Sequence, residues 1–208
     1  MESQAGLAEL LARYAIPPDS DSAGKFRAYV ALIEKWGSRI RLTSSTRWST
    51  LGPLLEEAVW AARIYPVRAA NHLDIGSGAG FPALPLAILH PELTVHLVEA
   101  RERRAVFLES ATTELRMTNA RVHAERLDAF LRRDSEDVWL SASWKALRLE
   151  GRQLEALLAR KPRELWIFHG HTLPTSEPLL RATHGLAERL AVPGRLASYL
   201  SIYQRQET

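Results

Sequence analysis

The sequence predicts a doubly wound, mostly parallel α/β sheet preceded by a helical arm, and three observations carry that prediction. An apolar stretch, Leu73-Asp74-Ile75, runs into the turn Gly76-Ser77-Gly78-Ala79-Gly80-Phe81-Pro82 and then into a second apolar run over 83–89. From His72 onward, strand-like and helix-like segments alternate, the pattern of parallel strands joined by crossover helices. Before that point the apolar residues recur only at helical spacing.

Taken in chain order, residues 6–15 place Leu7, Leu10, Leu11 and Tyr14 on one helical face, and residues 24–40 do the same with Phe26, Tyr29, Val30, Ile33 and Trp36. Between them, residues 16–22 (IPPDSDS) stop one helix and cap the next. A third helix is expected over 51–64, opened by Gly52-Pro53 and closed by Tyr65-Pro66. Strands are expected over 72–75, 94–98, 120–123, 138–141 and 165–168. Helices fill the intervals at 83–89, 101–115 and about 147–158, with a further helical turn near 179–190. Pro85 falls in the first turn of its helix, where a missing N–H is harmless. Residues 198–203 alternate and read as a last strand at the sheet edge. The expected division is a helical extension over 1–66, packed on the core, and a sheet domain over 67–208.

Composition bounds the function. At 208 residues and 46% hydrophobic content the chain supports one main core with an appendage. Its apolar runs fall well short of the roughly 20 residues of a membrane-spanning helix, and the acidic start Met1-Glu2-Ser3-Gln4 is unlike a signal peptide. Zero cysteines exclude disulfides, thiolate metal sites and a sulfur nucleophile, and fit a cytoplasmic protein. Net charge is only +3, yet lysine occurs only at Lys25, Lys35, Lys145 and Lys161, the other cations being arginine. That balance permits an RNA partner without requiring one.

The glycine turn carries the chemistry. Three alternating glycines let the backbone pass close under a ligand, since no Cβ intervenes and positive φ costs little. Glu99 lies about twenty residues beyond, where βαβ nucleotide-binding units place the acid that accepts from ribose hydroxyls. The spacing G-x-G-x-G, with Asp74 just before it, leans away from a dinucleotide: an acid there would repel a pyrophosphate but suits the ammonium of S-adenosylmethionine. Ligands of open α/β sheets bind beyond the carboxyl ends of the strands. The residues to inspect are therefore Asp74, Gly76, Ser77, Gly78, Gly80 and Phe81 after the first strand, Glu99 and Ala100 after the second, and Leu127 and Asp128 after the third. Ser143, Trp144 and Lys145 follow the fourth strand and His169 the fifth. Asp128 has two readings, an acceptor for the adenine amino group or a solvated helix N-cap. Phe81 lines the pocket, packs in the core, or both. Lys145 and Arg148 either contact RNA phosphate or stand on a solvated face. The run Arg101-Glu102-Arg103-Arg104 reads as a solvated helix surface. His169 and His171 lack a third ligand, so no metal is expected.

These residues resemble the GidB/RsmG family, bacterial methyltransferases that use S-adenosylmethionine to methylate N7 of a guanine in small-subunit ribosomal RNA. The likeness is most specific over 73–88 (LDIGSGAGFPALPLAI), extends through 98–108 and 115–120, and is weaker over 29–43, ending Trp36-Gly37-Ser38-Arg39-Ile40-Arg41-Leu42-Thr43. It implies a Rossmann-like class I methyltransferase domain. It also implies donor binding at Gly76, Phe81, the acid Glu99 and the pair Leu127-Asp128, a cytoplasmic enzyme, and ribosomal RNA or the 30S subunit as partner. Elsewhere the pattern breaks. The family's Asn before Leu-Thr is Arg41, and its Arg-His-x-x-Asp-Ser segment reads Gly52-Pro53-Leu54-Leu55-Glu56-Glu57. Its Ser-Arg-Ala reads Ser143-Trp144-Lys145, and its Lys-Gly reads His169-Gly170. The retained positions serve the donor and several lost ones face the acceptor. Two other readings therefore stand beside an RNA methyltransferase: a methyltransferase-derived binding protein without catalysis, and a methyltransferase with a different acceptor. Guanine N7 carries a free lone pair, so the reaction calls for alignment and for no catalytic base.

Overall fold

A computed structural model describes residues 2–66, 70–133, 139–149, 151–173, 175 and 177–206. Three helices come first: α1 (Glu2–Arg13), α2 (Asp21–Gly37) and α3 (Trp48–Ile64). Ser20 caps α2, its hydroxyl accepting from the Ala23 N–H at 3.2 Å. The alternating part follows as β1 (Ala70–Ile75), α4 (Ala83–Leu89), β2 (Leu93–Val98), α5 (Glu102–Glu114), β3 (Ala120–His123), α6 (Leu127–Arg132), β4 (Trp139–Lys145), α7 (Gly151–Ala159) and β5 (Glu164–His169). The chain ends in α8 (Glu177–Arg181), β6 (His184–Ala191) and β7 (Tyr199–Arg205).

The strands form one seven-stranded sheet in the order β3-β2-β1-β4-β5-β7-β6. β1 to β5 pair in parallel, whereas β7 runs antiparallel between β5 and β6. The order reverses between β1 and β4, which makes the carboxyl ends of those strands the switch point where a ligand is expected. Two cores sandwich the sheet. One gathers α1 to α5 with residues such as Phe26, Val59, Leu84 and Phe107, and the other gathers α6 and α7 with Trp139, Trp144, Leu154 and Ile167.

Three expectations are corrected. The helical turn near 179–190 is the five-residue α8 followed by the edge strand β6. Most of β6 is exposed and Leu186 stands 49% exposed, so it carries no strong alternation, and pairing with β7 makes it a strand. Residues 198–203 lie in β7, which is interior rather than at the edge; Leu200, Ser201, Ile202 and Tyr203 are all buried. The fourth strand extends to Lys145, with Val138, expected to begin it, outside the described residues. Ser141 and Ser143 look like a strand end in the sequence, yet both are buried and hydrogen-bonded inside the sheet.

Candidate functional site

The chain leaves β1 over the glycine turn. Gly76, Gly78 and Gly80 hold φ of +71°, +58° and +93°, left-handed values open to glycine at little cost. The N–H groups of Gly76 and Ser77 donate to the Val98 carbonyl at 2.8 and 3.3 Å, which ties the turn to the end of β2. Glu99, only 5% exposed, completes the tie: Oε2 accepts from the Gly78 N–H at 2.9 Å and Oε1 from the Arg101 N–H at 2.8 Å. Hydrogen bonds to an ionised carboxylate are roughly twice as strong as neutral ones. The acid that spacing marks for a ribose therefore also shapes the turn, a task with no signature in the sequence.

The turn rests on the helical arm. Tyr29 of α2 is fully buried, donates to the Ala79 carbonyl at 2.6 Å, and sets its ring 5.4 Å from that of Phe81. Burial, reinforced by the Asp74 charge, pushes its hydroxyl well above the ordinary tyrosine value, so it remains a donor. In the sequence Tyr29 is only one more residue on an apolar helix face.

On its open side the turn borders a groove of about 550 Å³, within the ~300–1,000 Å³ range of small-molecule sites. Gly76, Ser77, Gly78, Phe81, Glu99, Ala100, Leu127 and Lys145 all line it. Arg101, Arg104 and Arg126 line it as well. The run 101–104, expected to be a solvated surface, thus turns two arginines to the groove, and Arg104 also donates to the Arg41 carbonyl at 3.2 Å.

Four residues expected at the site stand off its walls. Gly80 faces inward: a Cβ there would lie 2.6 Å from Leu84 Cδ1 and 3.0 Å from the Tyr29 hydroxyl, so this glycine serves close packing rather than ligand approach. Asp128 is the second residue of α6, and its carboxylate is engaged by Arg126 at 3.3 Å and Arg132 at 3.1 Å. Those hydrogen bonds hold it below the usual carboxylate range although solvent reaches it. The N-cap reading of Asp128 is corrected, since Arg126 holds the cap position of α6. Arg148 is exposed.

Asp74 lies in the sheet, 2% exposed, at the end of a buried hydrogen-bonded row. An ionised carboxylate only accepts, so the Ser143 hydroxyl donates to Asp74 Oδ1 at 2.6 Å. Ser143 in turn accepts from His72 Nε2 at 2.9 Å, which leaves His72 Nδ1 to accept from Ser141 at 2.7 Å, and Ser141 accepts from the Tyr65 hydroxyl. Burial, with His96 nearby, drives His72 down to about 3, in keeping with a neutral ring in one tautomer. Burial likewise lifts Asp74 to about 6, against the hydrogen bonds from Ser143 and Ser77. Asp74 Oδ2 has no hydrogen-bond partner among the described residues.

At the end of β4, Lys145 pairs with Glu57 Oε1 at 2.7 Å. Burial lowers its ammonium below the ordinary lysine value, against the pull of Glu57. His169 donates from Nδ1 to the Gly170 carbonyl at 2.7 Å and accepts at Nε2 from Ser201 at 2.8 Å. Among the described residues no three His, Cys, Asp or Glu side chains gather where they could hold a metal ion.

The topological switch point thus carries a three-glycine turn, with a buried acid just past β2 and an N-terminal helix pinned under the turn. Residues 22–165, from α2 through β5, match the family model GidB, described as rRNA small subunit methyltransferase G. The chain belongs to the GidB family. Among GidB relatives, the ribosomal RNA small subunit methyltransferase G of Chloroflexus aggregans is 33% identical over 169 residues, covering 81% of this chain and 65% of that protein. The protein of the same name from Sorangium cellulosum is 39% identical over 134 residues, covering 59% and 53%. The matched stretch thus spans between about half and two thirds of these GidB proteins. The solved structure of the mitomycin 7-O-methyltransferase MmcR aligns with a TM-score of 0.62 at 14% identity, over 96% of this chain and 72% of that one. That likeness concerns the fold, which is the Rossmann-like one of class I methyltransferases.

Proposed function

We propose that this GidB chain is an S-adenosylmethionine-dependent methyltransferase that methylates N7 of a guanine in small-subunit ribosomal RNA, acting on the 30S subunit. The observation that carries the reading is the open groove on the glycine turn, with Glu99 on its wall and, buried behind it, an Asp74 oxygen that has no partner among the described residues. These residues fit the donor. Each Glu99 oxygen spends one lone pair on the backbone and keeps another for a ribose hydroxyl. Leu127 and Ala100 offer apolar flanks to an adenine, and the Asp74 charge attracts an ammonium. Asp128 stands off the groove wall, and each of its oxygens, paired with one arginine, keeps a lone pair for the adenine amino group.

The bound donor would supply a methyl group on sulfur: the N7 lone pair forms the new carbon–nitrogen bond, sulfur keeps the pair of the broken one, and the base takes up the positive charge. The protein's contribution is alignment and the exclusion of water, since no proton leaves N7. Arg101, Arg104 and Arg126 on the groove border place guanidinium groups where an RNA phosphate would pass. Among the described residues no helix is long and apolar enough to cross a membrane.

Incubating unmodified 30S subunits with donor labelled in its methyl group should place label in the RNA. Donor binding without label in RNA would refute the acceptor, and the absence of donor binding in calorimetry would refute the whole reading. Glu99→Gln is expected to weaken binding of the demethylated donor product by at least about tenfold. Its amide would turn an N–H toward one of the two backbone donors, and a hydrogen bond to a charged group contributes about 1.5–3 kcal/mol. A binding constant within twofold of wild type would remove Glu99 from the site.

A further inference from the structure

Beside the donor groove lies a second cleft of about 230 Å³, lined among others by Glu57, Lys145, Ala146, His169, Arg195 and Tyr199. Three elements meet in it: α3 supplies Glu57, the end of β4 supplies Lys145, and the end of β5 supplies His169 with Gly170 after it. They are far apart in sequence and share no contact that periodicity reveals.

The cleft is organised around one carboxylate. Glu57 is 3% exposed, and its two oxygens are divided between two cations, Oε1 with Lys145 Nζ and Oε2 with Arg195 Nη1, each at 2.7 Å. Lys145 and Ala146 line both clefts, so the ammonium stands where the two spaces join. Phe168, Tyr199 and the His169 ring, which stacks 5.9 Å from Tyr199, give the cleft an aromatic side.

We propose that this cleft holds the acceptor guanine, with Glu57 accepting from its N1–H and N2 amino group and Lys145 donating to O6. The inference rests on the methyltransferase reading above and names the residues that would choose the base. The volume is below that of drug-sized sites and matches a single ring system. Hydrogen-bond capacity is sufficient: each Glu57 oxygen keeps a lone pair beyond its ion pair, and Lys145 has three N–H donors with one used. Guanine alone among the four bases offers adjacent N–H donors on its Watson–Crick edge together with an O6 acceptor, whereas adenine places an amino group where Lys145 would need an acceptor.

The test compares wild type with Glu57→Gln and Lys145→Met, measuring label transfer into unmodified 30S subunits and, separately, calorimetric binding of the demethylated donor product. Glu57→Gln is expected to lower kcat/KM for RNA about 10- to 100-fold while donor-product affinity stays within threefold; Lys145→Met, which removes a cation shared by both clefts, should lower kcat/KM for RNA at least about tenfold. Transfer within threefold of wild type in both variants, or donor affinity of Glu57→Gln falling in step with its transfer, overturns the assignment. A second readout needs no variant: a transcript with inosine replacing guanine lacks the N2 amino group and should be methylated at least about tenfold more slowly by the wild-type protein, with equal rates counting against the proposal. Wild type that binds donor product yet labels no RNA would overturn the ribosomal acceptor itself, a result distinct from an active wild type indifferent to Glu57.

Discussion

Asp74→Asn should make the free protein more stable at pH 7.5 and at the same time weaken its hold on the donor, two effects of opposite sign from one atom. The folded carboxyl, pushed up to about 6 by burial, keeps its proton over a range where the unfolded chain, titrating near 4, has lost it. The native state therefore binds more protons between about pH 4 and 6, and stability falls as pH rises through that window. Ionisation of Asp74 costs the neutral-pH native state about 3 kcal/mol by that shift, a penalty offset when a cationic group binds nearby. Affinity for the demethylated donor product, which retains its ammonium, should rise about tenfold from pH 5 to 7.5 in the wild type and level off above pH 6. In Asp74→Asn it should be flat across that range, while the unliganded melting temperature at pH 7.5 rises by a few degrees, the removed ionisation penalty being partly offset by amide N–H groups at the position where Oδ2 has no partner among the described residues. Ser143 can still donate to the asparagine oxygen, which keeps the buried row intact. A pH-independent wild-type affinity, or a variant less stable than wild type at pH 7.5, would contradict the role given to Asp74.

The second large effect concerns Gly80→Ala. At φ +93° an added Cβ would meet Leu84 Cδ1 at 2.6 Å, Leu84 Cγ at 2.8 Å and the Tyr29 hydroxyl at 3.0 Å, and Leu84 and Tyr29 are both wholly buried. Overpacking of this kind costs about 1–3 kcal/mol, and backbone strain at positive φ adds about 1 kcal/mol more. The melting temperature should therefore drop by roughly 5–15 °C. Movement of Tyr29 away from the Ala79 carbonyl would also loosen the groove floor, so donor affinity is expected to fall about tenfold or more. Gly151→Ala is the natural control, because Gly151 also holds a positive φ, +48°, but a Cβ there meets nothing within 4 Å. Its cost should be that of the backbone alone, about 1 kcal/mol. Equal losses in the two variants would show that packing around Gly80 is unimportant.

Sequence reading reached the parts governed by local pattern. The first βαβ unit was legible because a glycine triplet between two apolar runs leaves few other structures open, and Glu99 followed from its distance along the chain. The end of β4 was not, since Ser141 and Ser143 look polar until the buried row joining Tyr65, His72 and Asp74 supplies their partners. β6 was misread because an edge strand shows one exposed face and derives its form from β7. The contacts of Tyr29 with Ala79, 50 residues away, and of Glu57 with Arg195, 138 residues away, leave no mark on local spacing.

The hook formed by the Tyr29 hydroxyl on the Ala79 carbonyl bears on how small a working version of this protein can be. A trimmed chain begun at Ala70 would retain all three turn glycines and both acids, yet it would lack the peg beneath them. Any effort to carve out a minimal nucleoside binder, or to graft this turn onto another scaffold, has to carry α2 along with it.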